Sequence, residues 1–241
     1  MALFANAQSK FEYRMLVHKG DTLKYRLLLP VSYNPALKYP VIYFLHGSGE
    51  RGSDNEAQLV HGSKLFLDEE NRKKFPAFVV FPQCRADDSW TTMLKNNSIS
   101  RSFDNQRQPT NAMTMLLRLI KYMGNSYPVN KDQVYIGGLS MGGMGVFEIA
   151  ARKPGLFAAA FPICGGGDST NARKMNKIAW WVFHGDGDEV VLPEYSVHMV
   201  DALKRKGADV KFSLYPGVNH NSWDNAFAEP GLLPWLFSQR R

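Results

Sequence analysis

An α/β protein with an open, mostly parallel sheet and helices on both faces is what this 241-residue chain predicts. Eight short runs rich in β-branched and aromatic residues recur along it, and helical segments separate the later ones. Two of the runs, Val41 to Leu45 and Phe78 to Phe81, are nearly all apolar. Strands covered on both faces have that composition.

In chain order, Phe11 to Val17 and Leu23 to Leu29 read as a hairpin around Lys19-Gly20-Asp21. Val41 to Leu45, Phe78 to Phe81, Val134 to Gly137, Ala158 to Ile163, Ile178 to Phe183 and Val210 to Tyr215 complete the eight. Helices are expected over Asn111 to Met123, Met141 to Arg152 and Pro193 to Lys206. The last is well punctuated: Pro193 suits the first helical position, Val197, Val200, Ala202 and Leu203 give an apolar face, and Gly207 ends it. Trp223 to Phe227 and Leu232 to Phe237 read as closing helical turns. The least regular stretch, Arg85 to Thr110, is polar and carries Asp87-Asp88, Asn96-Asn97 and Gln106 to Pro109. Long excursions of this kind are functional or mobile, which makes it the one candidate lid. Residues 11–241 are expected to form a single domain, with residues 1–10 a disordered leader or a signal-peptide remnant.

Composition narrows the function. A hydrophobic fraction of 44% supports a packed core, and no apolar run reaches the length of a membrane span. The net charge of +7 is scattered over pairs such as Arg173-Lys174 and Arg240-Arg241, which read as solvated faces, and no nucleic-acid motif accompanies them. Two cysteines, Cys84 and Cys164, make neither a disulfide framework nor a metal motif. No His pair at i, i+4 stands beside a Glu, so no metal and no cofactor is expected. Ala5-Asn6-Ala7 before Gln8 has the small-x-small form of a signal-peptidase site, although only Met1 to Phe4 precedes it as apolar chain. That tilts the expected location slightly toward periplasm or secretion and away from the cytoplasm.

The chemistry centres on Gly138-Leu139-Ser140-Met141-Gly142, between a predicted strand and a predicted helix. Strand, Gly-x-Ser-x-Gly and helix make a nucleophile elbow, in which a sharp turn lifts the serine above the sheet. The pentapeptide alone arises by chance in about one such chain in twelve, so its weight rests on partners. Serine needs an imidazole base, and His220, just past the last strand in Pro216-Gly217-Val218-Asn219-His220, is the best placed. The base needs a carboxylate, and His184-Gly185-Asp186-Gly187-Asp188 after the seventh strand offers two. Serine, acid, histidine is the chain order of the α/β-hydrolase triad. The oxyanion donors are expected to be the backbone N–H of Met141 and that of Ser48, in the glycine-lined Leu45-His46-Gly47-Ser48-Gly49 loop.

In these residues the chain resembles the α/β-hydrolase superfamily, in particular its polyhydroxybutyrate depolymerase-like, feruloyl-esterase-like and prolyl-oligopeptidase-like esterases. The resemblance is carried by Leu45 to Gly52, Phe81-Pro82-Gln83-Cys84, Gly138 to Gly143, His184-Gly185 with Asp188 and Val191, and Gly217 with His220 and Trp223. It implies the α/β-hydrolase fold without a large cap domain. It also implies Asp188 rather than Asp186 as the acid, and loop-bracing roles for His46 and His184. With the family's strand order, two strands separate Cys84 from Cys164, about 14 Å at ~4.8 Å per strand, too far for a disulfide. Two free thiols are therefore expected.

The expected function is serine hydrolysis of a carboxylic ester, either a small molecule or acetyl and feruloyl groups linked to plant polysaccharide. Gln83, Trp90 and Trp223 are candidate substrate contacts, each set against a packing role. His220 packed on Trp223 is the plain structural alternative for that histidine, and His18, His61 and His198 have no evident partner. A prolyl-oligopeptidase-like peptidase and a non-catalytic hydrolase-fold binding protein are the competing readings.

Overall fold

The computed structural model describes residues 10–95, 98–99 and 108–241. Its main sheet contains β1 (Glu12–His18), β2 (Asp21–Leu28), β3 (Tyr39–Leu45), β4 (Phe78–Pro82), β5 (Val129–Leu139), β6 (Ala159–Ile163), β7 (Ala179–Gly185) and β8 (Val210–Tyr215). Their order across the sheet is β1-β2-β4-β3-β5-β6-β7-β8. The first two pairings, β1 with β2 and β2 with β4, are antiparallel, and every later one is parallel. This is the predicted fold class, an α/β-hydrolase sheet. The β1–β2 register closes at His18 opposite Asp21, leaving Lys19-Gly20 as a two-residue turn. Both residues have positive φ, as a type I′ hairpin turn demands.

The helices are α1 (Ser63–Leu67), α2 (Glu69–Lys74), α3 (Asn111–Ser126), α4 (Met141–Arg152), α5 (Glu194–Arg205), α6 (Trp223–Ala228) and α7 (Leu232–Ser238). Alternation along each strand sends its side chains to two separate cores. From β3, Val41, Tyr43 and Leu45 face the layer that contains Leu116, Phe147 and Leu203 of α3, α4 and α5. Ile42 and Phe44 face the other, with Phe66, Leu232 and Leu236 of α1 and α7. Full burial of each large apolar side chain contributes roughly 1.5–3 kcal/mol, so the central strands are the rigid base on which the loops are mounted.

Two differences from the sequence expectation have physical reasons. β5 runs eleven residues rather than four, because Val129 pairs with Tyr39 before a register break and Val134 pairs with Val41 beyond it. The helices α1 and α2 are not visible as periodicity, since five or six residues contain too few turns. Asp68 caps α2 by accepting from the Asn71 N–H at 2.9 Å.

The Arg85–Thr110 excursion is stapled at both ends. Glu148 of α4, fully buried, accepts from Thr91 Oγ1, Thr92 N–H, Thr92 Oγ1 and Arg152 Nε at 2.8–3.0 Å. Asp88 accepts from Ala112 N–H at 2.6 Å, and Thr110 Oγ1 donates to the Ser89 carbonyl at 2.7 Å. A short antiparallel ladder joins Leu94–Lys95 to Ser98–Ile99. The remainder of the excursion, with its expected lid role, and residues 1–9 of the expected leader lie outside the described residues. Cys84 and Cys164 are free and buried, and β3 and β5 stand between the strands they follow. Among the described residues, no helix is long and apolar enough to cross a membrane.

Candidate active site

Ser140 ends β5 and begins α4 with φ 53° and ψ −118°, a conformation that costs a residue with a Cβ of order 1–3 kcal/mol. The neighbours that hold it there are backbone. Ser140 N–H donates to the Ile163 carbonyl at 2.9 Å. A side chain on Gly142 would collide with the carbonyl oxygens of Leu45 and His46, so a glycine is what lets the first turn of α4 press against the end of β3.

Ser140 Oγ lies 3.0 Å from His220 Nε2, and His220 Nδ1 lies 2.7 Å from Asp188 Oδ2. The three loops that carry them follow β5, β8 and β7 at one sheet edge. Because a carboxylate only accepts, Nδ1 holds the proton and Nε2 presents a lone pair to the serine hydroxyl. Asp188 is buried, and burial alone pushes its carboxyl pKa upward. Hydrogen bonds from His184, His220 and the Val191 N–H outweigh that effect and hold it well below the usual carboxylate range. Its other oxygen accepts from the N–H groups of Val190 and Val191, both at 2.9 Å. Asp186 spends its carboxylate on the Gly217 N–H at 2.6 Å, tying the acid loop to the His220 loop.

Met141 and Ser48, the expected oxyanion donors, both stand at the start of helical turns. Met141 opens α4 and Ser48 opens a 3₁₀ turn over Ser48–Glu50, and first-turn N–H groups have no intrahelical partner. Gly47 brings this loop to the serine: a Cβ built there would stand 3.7 Å from Ser140 Cβ and 2.8 Å from Leu139 Cδ1.

His46 and His184 brace loops. His46 Nδ1 donates to the Gly47 carbonyl at 2.6 Å and Nε2 accepts from Cys84 N–H at 2.9 Å. Burial pushes its pKa down to about 4. His184 Nδ1 meets Ser196 Oγ at 2.7 Å, while Nε2 points at the Val191 carbonyl at 2.8 Å and Asp188 Oδ2 at 3.2 Å.

Of the three candidate substrate contacts, only Trp223 stands beside His220, its ring edge-on to the imidazole at 5.5 Å. Trp90 is completely buried, with its ring against His46 at 5.4 Å and its Cβ under Gly145. That makes it a scaffold residue in this structure and corrects the reading of it as a pocket wall. Gln83 is buried too. Its amide accepts from Asn55 N–H at 2.7 Å and donates to Asp54 at 2.8 Å and the Glu50 carbonyl at 3.3 Å, bracing the Glu50–Asn55 loop.

Sequence reasoning missed three neighbours. His61 has a partner after all: its Nε2 lies 3.6 Å from Glu50 Oε1, and its ring packs on Trp223 at 5.0 Å. Glu50 turns Oε2 toward Gly47, 3.1 Å from where a Cβ would sit. Cys164, at the end of β6, lies against Asp188 and His220. No local pattern marks these contacts, because each joins loops that only the sheet order brings together. A cavity of about 640 Å³ lined by Val41, Val129 and Val134 sits at the opposite ends of these strands and takes no part in the site.

The Esterase family model matches residues 18–195, well over half of the chain. A prolyl oligopeptidase family model matches the shorter stretch 168–229. No curated protein sequence matches. Among solved structures, a thermostable esterase superposes with a TM-score of 0.89 and 33% identity over 98% of this chain. This chain spans 64% of that esterase's length. A CE1 ferulic acid esterase from Anaeromyces mucronatus, solved with ferulic acid, has a TM-score of 0.70 at 18% identity, covering 95% of this chain and 90% of its own. An acylaminoacyl peptidase from Pyrococcus horikoshii reaches 0.68 at 15% identity, over 98% of this chain and 43% of its own. The last two are similar in fold. With its family model, its relative at 33% identity and its sheet order in agreement, the chain belongs to the Esterase family of α/β-hydrolases.

Proposed function

We propose that this protein is a serine esterase that hydrolyses carboxylic esters through Ser140, His220 and Asp188 within one domain over residues 11–241. The observation that carries the reading is the His220 ring, 3.0 Å from Ser140 Oγ on one side and 2.7 Å from Asp188 Oδ2 on the other. Ser140 attacks the ester carbonyl as His220 Nε2 takes its proton. Asp188 fixes the tautomer and stabilises the imidazolium. The N–H groups of Met141 and Ser48 hold the tetrahedral oxyanion, His220 returns the proton to the leaving alcohol, and water releases the acyl group by the same route.

We infer the substrate class from the absence of a large cap insertion in the sequence between His46 and Ser140. Arg85–Thr110 is the one long excursion between β4 and α3, and its described ends are stapled to α3 and α4. An open site takes short acyl groups, or acetyl and feruloyl substituents on a bulky carrier such as plant polysaccharide. A polymeric substrate and the Ala5-Asn6-Ala7 pattern together favour work outside the cytoplasm. The match to a prolyl oligopeptidase model over residues 168–229 supports one competing activity, peptidase.

A panel of methyl ferulate, acetylated xylan, short and long p-nitrophenyl esters and prolyl peptides separates these readings. The expected outcome is turnover of short-chain or polysaccharide-linked esters that disappears in a folded Ser140→Ala variant. Preference for long-chain esters would remove the open site, and preference for prolyl peptides would replace the esterase.

A further inference from the structure

Behind the triad lies a side chain that its chemistry does not use. Cys164 follows β6 with its thiol fully buried, and a ligand atom of Cys164, one of Asp188 and one of His220 all lie within 4.8 Å of one another. Sulfur, imidazole and carboxylate form a donor set that suits Zn²⁺ and its softer relative Cd²⁺. Tetrahedral bonds of ~2.0–2.3 Å place such donors about 3.4 Å apart. The separations to the sulfur therefore need to close by about 1.4 Å at most, while the Asp188–His220 pair, at 2.7 Å, needs to open by about 0.7 Å to admit the ion. A second observation points into the same space. Ser222 Oγ is completely buried with no oxygen or nitrogen partner, and its hydroxyl meets the Cys164 sulfur, where it can donate to a thiolate.

We propose that Cys164, Asp188 and His220 form a latent site for a thiophilic divalent cation, Zn²⁺ being the physiological candidate, whose binding switches the hydrolase off. In the resting triad, His220 Nδ1 carries a proton shared with Asp188. When the ion enters, Nδ1 gives its lone pair to the metal and its proton passes to Nε2. The Cys164 S–H proton leaves to water, so one proton is released per ion. The Cys164 thiolate and the Asp188 carboxylate balance the two positive charges. Nε2 then bears a hydrogen and can no longer accept the proton of Ser140.

Burial favours the neutral thiol and pushes the pKa of Cys164 up, so without metal the sulfur is an inert neighbour of the base. Access runs past His220, whose side chain is 19% exposed, whereas the sulfur and Asp188 are closed to solvent. Inhibition is therefore expected to develop slowly.

The effect on activity rests on the triad reading, but binding itself does not, so the two fail separately. The full chain titrated with Cd²⁺ is expected to develop a 1:1 Cd–thiolate ultraviolet absorption band, with esterase activity lost in parallel and restored by a chelator. The band should persist in Cys84→Ser. It should vanish in Cys164→Ser, a variant that keeps its basal activity and becomes at least tenfold less sensitive to Zn²⁺. His220→Ala should weaken Cd²⁺ binding at least tenfold whatever its activity, which serves if Cys164→Ser folds poorly. Wild-type protein without the band would overturn the proposal, as would Cys164→Ser inhibited as strongly as wild type, or His220→Ala binding Cd²⁺ undiminished.

Discussion

His46 and His220 both follow strands at the same sheet edge, within loops that carry glycine, yet the fold puts them to opposite uses. His46 is 2% exposed and gives both ring nitrogens to backbone groups, one to the Gly47 carbonyl and one to the Cys84 N–H. His220 keeps an edge toward solvent and gives both nitrogens to side chains, those of Asp188 and Ser140. One imidazole is a dry strut between two loops, and the other bridges an acid and a hydroxyl. The lesson is that residue type and place along the chain do not separate a brace from a base. What each nitrogen faces, and whether a proton can be exchanged there, does.

The largest effect should come from breaking the His220 side of this contrast. Asp188→Asn presents an amide N–H where a carboxylate now accepts, forcing His220 into the tautomer with its proton on Nε2. Turnover is expected to fall about 10⁴-fold with little change in substrate affinity, as in a serine protease altered in the same way. Steady-state kinetics on a short ester would measure this, and a loss below about tenfold would remove Asp188 from the triad. Gly142→Ala comes next, since its Cβ would meet the Leu45 and His46 carbonyls. Denaturant unfolding is expected to show destabilisation of ~1–3 kcal/mol or more, together with loss of activity as the oxyanion donors shift.

The narrowest effect belongs to His46, since it is confined to stability, varies with pH only below 6.5 and leaves turnover at neutral pH alone. Its folded pKa of about 4 lies below the ordinary 6.5, so between these values the unfolded chain binds more protons than the folded one. The stability this histidine contributes is complete above pH 6.5 and is lost as pH falls toward 4, up to about 3 kcal/mol. His46→Gln should be less stable at pH 7 and show a shallower decline across that window. An unchanged slope would mean that His46 is not held neutral by its burial.

The elbow was legible from sequence because its requirements are local: a strand, two glycines and a helix around one serine. The order of Ser140, acid and His220 was legible because each follows a strand, and parallel strands end at one edge. The choice between Asp186 and Asp188 was not a local matter. It turns on whether a carboxylate faces the Gly217 N–H or the His220 ring, two residues apart on the same loop. For Trp90 and Gln83 the sequence left a packing role beside a substrate contact, and only the fold shows Trp90 buried against His46 and Gln83 bonded to the Glu50–Asn55 loop. Glu50, His61 and Cys164 left no trace in the sequence, because their partners lie elsewhere along the chain: His61 is 11 positions from Glu50 and 162 from Trp223, and Cys164 is 24 from Asp188 and 56 from His220. Only tertiary assembly brings them beside the triad.

Covalent labelling tests the central claim most directly. A fluorophosphonate probe followed by peptide mass spectrometry is expected to give a single adduct, on the peptide containing Ser140, and the adduct should be lost in His220→Ala. Absence of labelling in the folded wild-type chain, or an adduct on another serine, would contradict the assignment of Ser140 as the nucleophile.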